Sequence, residues 1–395
     1  MKIQRKSAPL SLDLGEADPA PDTALPARSR KGRGAISNRP GRYEPGERPA
    51  EDDGWPRFDE DDDVSPLRTT VGLDTSKSII SRNESPDVPF DQSINAYRGC
   101  EHGCIYCFAR PTHAYLGHSP GLDFETKLYH KPNAAKLLVQ ELRRPGYRPT
   151  LIAMGTNTDP YQPIERRYRI TRSILQVMSD FNHPVGITTK SANVLRDIDL
   201  LTSLARRRLV HVALSVTTLD AKLARQLEPR ASAPHRRLAA IKELTAAGVP
   251  VSVSVAPIIP ALTDHEIEAI IEAGVKNGAR GVNWVLLRLP LEIKDLFAEW
   301  LQDHVPDRAE HVLNRVKDCH GGQIYSSQFG SRMRGNGPYA DMIRQRVEKA
   351  AKRHGIGDRD WRLDLSRFTV PPGSPTQPDL FSVFPEPPES DTGRS

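Results

Sequence analysis

A chain of 395 residues carrying a formal net charge of +5 has room for two or three average domains, or for one α/β barrel with tails. Its 37% hydrophobic content and 34 prolines are low for a chain that is globular throughout, and no apolar run nears the roughly 20 residues that span a bilayer. Four cysteines without regular pairing exclude a secreted disulfide scaffold, and the basic start lacks a signal-peptide core, so a cytoplasmic protein is expected.

Residues 1–66 are rich in Pro, Gly and charge and lack periodic apolar positions, which predicts a disordered arm. Within it, residues 28–34 form a basic patch and residues 59–63 an acidic one; both fit a solvated arm, and the basic patch also fits a nucleic-acid contact. Strand-like and helix-like stretches then alternate from Ser93 to Arg288. Strands are predicted at 93–97, 150–155, 185–189, 210–216, 251–256 and 281–287. Amphipathic helices are predicted at 133–144, 171–181, 237–247 and 265–277, with Gly248 and Gly278 as stops. This alternation argues for a parallel sheet, and pattern alone fits a doubly wound sheet as well as a barrel. After Pro290 the pattern is helical at 292–304, 309–320 and 339–354. A polar Gly-rich loop, 321–337, falls between the last two helices as either a cover for a barrel mouth or a connector. The boundaries drawn are therefore 1–66, 67–290, 291–370 and a Pro-rich tail, 371–395.

Three of the four cysteines, Cys100, Cys104 and Cys107, fall within eight residues as CxxxCxxC. Thiolates this close can share one soft metal centre, zinc, copper(I) or an iron–sulfur cluster. Three ligands are one short of a closed tetrahedral site, which leaves a position for substrate or cofactor. Alternatives are a structural zinc site completed by His102 or His113, and a redox pair at Cys104 and Cys107. Cys319 lies in a helical pattern and reads as a small buried hydrophobe.

The spacing, with the aromatic Tyr106 before the last Cys, resembles the signature of the radical SAM superfamily. The stretch from Ser93 to about Leu289 is similar to its spore photoproduct lyase-like branch, also termed DNA repair photolyase-like. The resemblance implies an open, partial (β/α)6 TIM-type barrel, with a helical C-terminal extension and disordered termini. It implies a [4Fe–4S] cluster on Cys100, Cys104 and Cys107, and S-adenosyl-L-methionine at the fourth iron. The implied chemistry is reductive cleavage to a 5′-deoxyadenosyl radical that takes hydrogen from substrate, fed by a one-electron reductant of flavodoxin or ferredoxin type. Chemistry in such barrels sits at the C-terminal strand ends, and the cysteine loop directly follows the first predicted strand.

The same resemblance carries Gly155, Thr156 and Asn157 over to the cofactor amine, and Lys190 and Ser215 to its carboxylate and ribose. Glu228, Arg230 and Arg236 are weaker candidates for that pocket. The lyases carry a hydrogen-donating cysteine at the end of the second strand, where this chain reads Met154-Gly155-Thr156. Tyr161 and Cys319 are the substitute donors considered. A nucleic-acid base or lesion is the favoured substrate, supported by arginine runs at 166–169, 206–208 and 236–237 that fit a phosphate-facing surface or solvated helix ends. A protein or metabolite substrate and a non-enzymatic metal-stabilised nucleic-acid-binding module are the alternatives. In the tail, Gln377 to Phe381 looks like the short peptides that dock on the DNA sliding clamp, or else folds back on its own domain.

Overall fold

The computed structural model describes residues 29–43, 67–356 and 363–372. Ten strands are present among them: β1 (Thr70–Leu73), β2 (Ile80–Arg82), β3 (Gln92–Ile94), β4 (Tyr97–Arg98), β5 (Lys127–His130), β6 (Ile152–Met154), β7 (Val185–Thr189), β8 (Val210–Ser215), β9 (Val251–Ile258) and β10 (Gly281–Leu286). Six of them form a parallel series in the order β3-β6-β7-β8-β9-β10, with β2 antiparallel at the β3 edge. A small second sheet, β1-β5-β4, stands beside it. The six parallel strands are the expected partial barrel.

The crossover helices are α1 (Ala134–Leu142), α2 (Ile170–Asp180), α3 (Ile198–Arg206), α4 (Ala221–Leu227), α5 (Pro234–Ala246) and α6 (Ile267–Lys276). Three more follow the barrel: α7 (Ile293–His304), α8 (Pro306–Asp318) and α9 (Pro338–Arg353). The helices α5 and α8 start three residues earlier than their apolar periodicity suggests. Pro234 and Pro306 occupy their first turns, where a missing N–H costs nothing and φ is already set. Gly248 and Gly278 follow α5 and α6 at φ +81° and +98°, the left-handed stops the sequence predicts.

One face of the sheet is aliphatic. Val210, Val212 and Leu214 of β8, and Val251, Val253 and Val255 of β9, join the large core beneath the helices. A Cβ on Gly274 of α6 would stand 2.8 Å from the Val253 side chain, so helix and strand are in close contact on that face. The opposite face is small and polar: Ser93, Ala153, Gly186, Thr188, Ala213, Ser215, Ser252, Ser254 and Asn283 alternate with the aliphatic positions. Parallel strands are ordinarily apolar on both faces. Here the interior-facing side chains are small apart from His211 and Val285, and Thr188 and Asn283 are solvent-exposed in mid-strand.

One expectation changes. The arm is not disordered throughout: Arg33, Gly34, Ala35 and Ile36 are buried on the barrel. One member of its basic patch is used in that packing: Arg33 donates to the carbonyls of Glu125 (2.9 Å) and Leu67 (2.5 Å) and to Thr69 Oγ1 (3.1 Å), while Lys31 stays exposed. The helical extension after 290 packs against the barrel. Trp300, Phe297 and Leu301 of α7 share a core with Cys104, Ile105 and Tyr106 of the cysteine loop, while α9 packs on α6. The acidic run at 59–63 and the Gln377–Phe381 motif lie outside the described residues.

The Gly-rich loop is more than a plain connector. Its Met333 carbonyl accepts the Leu286 N–H of β10 at 2.9 Å. At its other side the Gly330 N–H donates to Asp87 Oδ1 at 2.7 Å, and Arg332 pairs with Asp87 and Ser85. Asp87 lies just beyond β2, so the loop ties the two free edges of the open barrel together.

Candidate metal centre and cofactor pocket

The cysteine loop runs from the end of β4 across the C-terminal mouth of the barrel. Gly99 and Gly103 allow its turns at φ +72° and +67°. Gln162 clamps the loop from the β6–α2 connection: its Oε1 accepts the Glu101 N–H at 2.9 Å and its Nε2 donates to the Gly99 carbonyl at 3.2 Å. Beneath the loop Arg110 is wholly buried. It donates to the carbonyls of Cys104 (2.9 Å), Pro120 (3.1 Å), Gly121 (2.9 Å) and Gly103 (3.1 Å), and to Glu125 Oε1 (2.5 Å). Glu125 in turn accepts the N–H groups of Gly34 (3.0 Å) and Ala35 (2.9 Å), which bind the N-terminal strap over the loop. The contact is tight enough that a Cβ on Gly34 would meet the Gly103 carbonyl oxygen at 1.8 Å.

Cys100 and Cys104 are buried, Cys107 is half-buried, and none forms a disulfide. Burial pushes all three thiols up, and each of Cys100 and Cys104 is raised further by charge on the neighbouring cysteines. Against that, the Asp159 amide points at Cys100 sulfur and the Ala109 and Arg110 amides at Cys107 sulfur. Amide donors aimed at sulfur are among the features that tune iron–sulfur centres. Among the described residues no three His, Cys, Asp or Glu side chains are gathered as closely as one metal ion requires. A four-iron cubane presents a separate iron to each thiolate and so suits more widely spaced thiols. Three thiols are the donor type an iron–sulfur cluster takes, and His102, the alternative fourth ligand for zinc, is engaged elsewhere, 3.4 Å from Asp159.

A charged wall stands behind the loop. Glu228 and Arg237 form a fully buried pair, and Arg237 also donates to the Ser215 carbonyl at 3.0 Å and the Ser232 carbonyl at 2.6 Å. Tyr106 Oη donates to Glu228, whose Oε1 lies 2.6 Å from Thr217 Oγ1. Burial would raise the Glu228 carboxyl, but the Arg237 and Lys190 cations beside it hold it down at about 2. Lys190, at the end of β7, donates from Nζ to the Ala256 carbonyl at 3.0 Å, 4.0 Å from Glu228 and 5.8 Å from the Tyr106 ring centroid. Its N–H donates to Asp159 Oδ2 at 2.8 Å, which couples the β6 and β7 ends. Asp159 is likewise held at about 2, by His102 and by bonds from Lys190 and Thr189, against the opposing effect of burial.

Tyr106, Lys190 and the Ser215 backbone thus belong to one bonded wall beside the cysteines. Thr156 and Asn157 are positioned by Asn95, whose Oδ1 accepts the Asn157 N–H at 2.9 Å and whose Nδ2 donates to Thr156 Oγ1 at 3.1 Å. Gly155 has a structural role as well: φ is +89°, and a Cβ would sit 2.0 Å from the Thr188 carbonyl oxygen. Arg230 bonds to the loop through its N–H to the His102 carbonyl (3.2 Å) and its guanidinium to Glu101 (3.3 Å). Arg236 is exposed on α5, and its neighbour Arg237 is the residue that enters the wall. Sequence reasoning missed Asn95, Arg110, Glu125, Gln162 and Arg237. The pairing of a buried Arg with a buried Glu left no local pattern to read.

The two substitute hydrogen donors are not brought to the loop. Tyr161 is fully buried in the core beneath the helices, with its hydroxyl among Asp197, Arg196 and Glu165. Cys319 is fully buried in that core after α8, where burial and the nearby Asp318 and Asp264 push its thiol up to about 12. With both sealed away, neither is placed to deliver a hydrogen atom in the barrel interior.

A family model described as the radical SAM superfamily matches residues 94–274. An uncharacterized protein of Mycobacterium tuberculosis is 37% identical over 262 residues, 66% of this chain and 73% of the relative. This chain belongs to the radical SAM superfamily. An uncharacterized protein of Methanocaldococcus jannaschii is 30% identical over 224 residues, covering 56% of this chain and 80% of its own. Among solved structures, a spore photoproduct lyase variant superposes with a TM-score of 0.53 at 15% identity, over 73% of this chain and 80% of that one. The lyase complexed with dinucleoside spore photoproduct gives 0.52 at 14% identity over the same shares. That likeness establishes the shared fold.

Proposed function

We propose that this superfamily member is an enzyme that binds a [4Fe–4S] cluster through Cys100, Cys104 and Cys107 and takes hydrogen from a nucleic-acid base or lesion. The observation that carries the reading is the position of the cysteine loop: three neighbouring thiols, two buried and one half-buried, braced from below by Arg110 and Glu125, at the mouth of the barrel. When bound there, the cluster and S-adenosylmethionine would supply reductive cleavage to a 5′-deoxyadenosyl radical, drawing on an external one-electron donor.

The protein's own part is placement and exclusion. Lys190 offers a compact cation for the cofactor carboxylate at the end of β7. Asn95 fixes the amides of Asn157 and Thr158 at the end of β6, where the cofactor amine would sit. Ser215 supplies a small polar side chain on the interior face for a ribose hydroxyl. Tyr106, held by Glu228, stiffens the loop between two ligands. The bridge from β10 to Asp87 closes the lateral gap, which keeps solvent and stray hydrogen donors from a reactive intermediate.

The substrate assignment rests on the fold shared with spore photoproduct lyase, whose solved complex holds a dinucleoside lesion. The absence of a thiol at Met154-Gly155-Thr156, and the burial of Tyr161 and Cys319, argue for a reaction that differs from that lyase's in its final hydrogen return. The test is anaerobic turnover of reduced enzyme with deuterated oligonucleotides, peptides and metabolites. Label should appear in 5′-deoxyadenosine from oligonucleotides alone. Label from peptides or metabolites instead would transfer the assignment to those classes. A colourless protein holding one zinc would remove the enzyme reading altogether.

A further inference from the structure

The last barrel strand leads into an arginine whose partners are a ring and a sulfur. Arg288 lies two residues beyond β10 and is half-buried. Its guanidinium stands 5.0 Å from the ring centroid of Phe108, which directly follows Cys107 and is 45% exposed. Its Nη1 donates to Met333 Sδ at 3.1 Å, in the Gly-rich loop bonded to β10 through the Met333 carbonyl. A thioether is a weak acceptor. Among the described residues Arg288 has no other hydrogen-bond acceptor: its Nε is buried without one, and its Nη2 is left open to solvent.

Neighbouring arginines are matched with carboxylates. Arg110 reaches Glu125, Arg237 reaches Glu228, Arg230 reaches Glu101 and Arg332 reaches Asp87. Arg288 has no such partner. Residues 108–122 and 321–337, which supply its two contacts, contain no Asp or Glu. Asp87 is lowered by the bond from the Gly330 N–H, by Arg332 and last by the Arg288 charge, and its oxygens are taken by the first two. Glu292, the nearest acid in sequence, lies 2.9 Å from Arg42. The Arg288 cation is therefore held in place by packing and still lacks an anion. A half-buried charge without a counter-charge is costly in the free protein, and an incoming anion would relieve that cost. Phosphate suits it, because guanidinium and phosphate make charge-assisted hydrogen bonds and a nucleic-acid strand carries a phosphate beside every base.

We propose that Arg288 anchors one phosphate of a nucleic-acid substrate beside the cysteine loop. This subsite deepens the proposed function and rests on it for the substrate class. The test titrates anaerobically reconstituted protein with a fluorescent single strand of about 8 nucleotides. A series of the same strand follows, in which one phosphodiester at a time is replaced by a neutral methylphosphonate. One position in the series should bind roughly tenfold more weakly than the unmodified strand, the size of one charge-assisted bond. Arg288→Gln should weaken the unmodified strand by about the same factor and show no further loss at that position. A flat profile across the series, no strand binding, or an Arg288→Gln profile that matches the parent protein's would each overturn the proposal; the first two outcomes need no variant to fold. An acidic peptide that binds the parent protein and not Arg288→Gln, in place of the strand, would give the site to carboxylates and overturn it as well. Formation of 5′-deoxyadenosine is read separately. A phosphate-sensitive position without cofactor cleavage supports the anchor and refutes the reaction, and cleavage with a flat profile does the reverse.

Discussion

Glu228 shows what one buried side chain does for the site. It is an acceptor for Tyr106, Thr217 and Arg237, and Lys190 stands 4.0 Å away. Removing one partner leaves an uncompensated buried charge, which costs about 3–5 kcal/mol. Glu228→Gln and Arg237→Met should each lower unfolding free energy by about that much in urea titrations, and the double variant by less than the sum. A double loss equal to the sum would show that the two side chains do not act as a pair. The candidates Lys190 and Tyr106 were accessible to sequence reasoning because they adjoin recognisable strand ends and cysteines. Arg237 was not, since its partner, Glu228, sits nine residues away on the far side of a turn. Among the three cysteines, Cys104→Ala should abolish iron binding, read as loss of the brown chromophore and of bound iron after reconstitution.

At the scale of elements, the cysteine loop is held by parts distant in sequence: the strap at 33–36, the buried Arg110–Glu125 pair and Gln162. Gly34 is the tightest point, because its Cβ position is occupied by a backbone carbonyl that cannot swing aside. Gly34→Ala should detach the strap and lower iron retention after gel filtration while the barrel stays folded by circular dichroism. Full retention would show that the strap is incidental to the metal centre. Arg110→Lys is not conservative at this position: it replaces five N–H donors in a planar fork with three on a flexible stem, leaving buried carbonyls unmet. The six core strands were legible as short β-branched runs, and the helices as apolar periodicity. The strands β1, β2 and β5 were not, and the strand expected at 93–97 is divided between β3 and β4, which pair in different sheets; pairing sets these, not composition.

Two consequences belong to the whole molecule. Asp87→Ala removes the anchor that joins the β10-bonded loop to the β2 side. Hydrogen exchange should then speed up across 321–337 with little change in the core strands; unchanged exchange would mean that the loop is held by β10 alone. The second concerns pH. His183 is buried against Tyr147, and burial lowers it to about 4. Its folded value lies below the unfolded one of about 6.5, so its contribution is complete above that value and is lost as pH falls toward 4. Glu228 and Asp159, held at about 2, add stability that is present above about 4.5 and lost as pH falls further. His113 and His211 are lowered by burial to about 4 as well, so unfolding free energy should decline in two stages on acidification, and His183→Asn should shrink the upper one without removing it. The arginine runs noted in the sequence do not make one surface. Arg207 is bonded to Ser179 and Asn182 just before β8, at the end of the barrel opposite the cysteines, and Arg237 is buried.

The sequence by itself determined the superfamily, through its cysteine spacing, and the barrel. Thiol spacing within one loop and strand–helix alternation are local properties, readable without knowing what packs on what. Tertiary structure alone decided how the loop is braced, which strand faces form the polar interior, and that a glycine-rich segment joins the barrel's free edges. Those features depend on contacts between residues separated by as much as 247 positions, as Ser85 and Arg332 are. Tertiary structure also withdrew Tyr161 and Cys319 from the site, because burial is a property of the packed chain and not of the side chain.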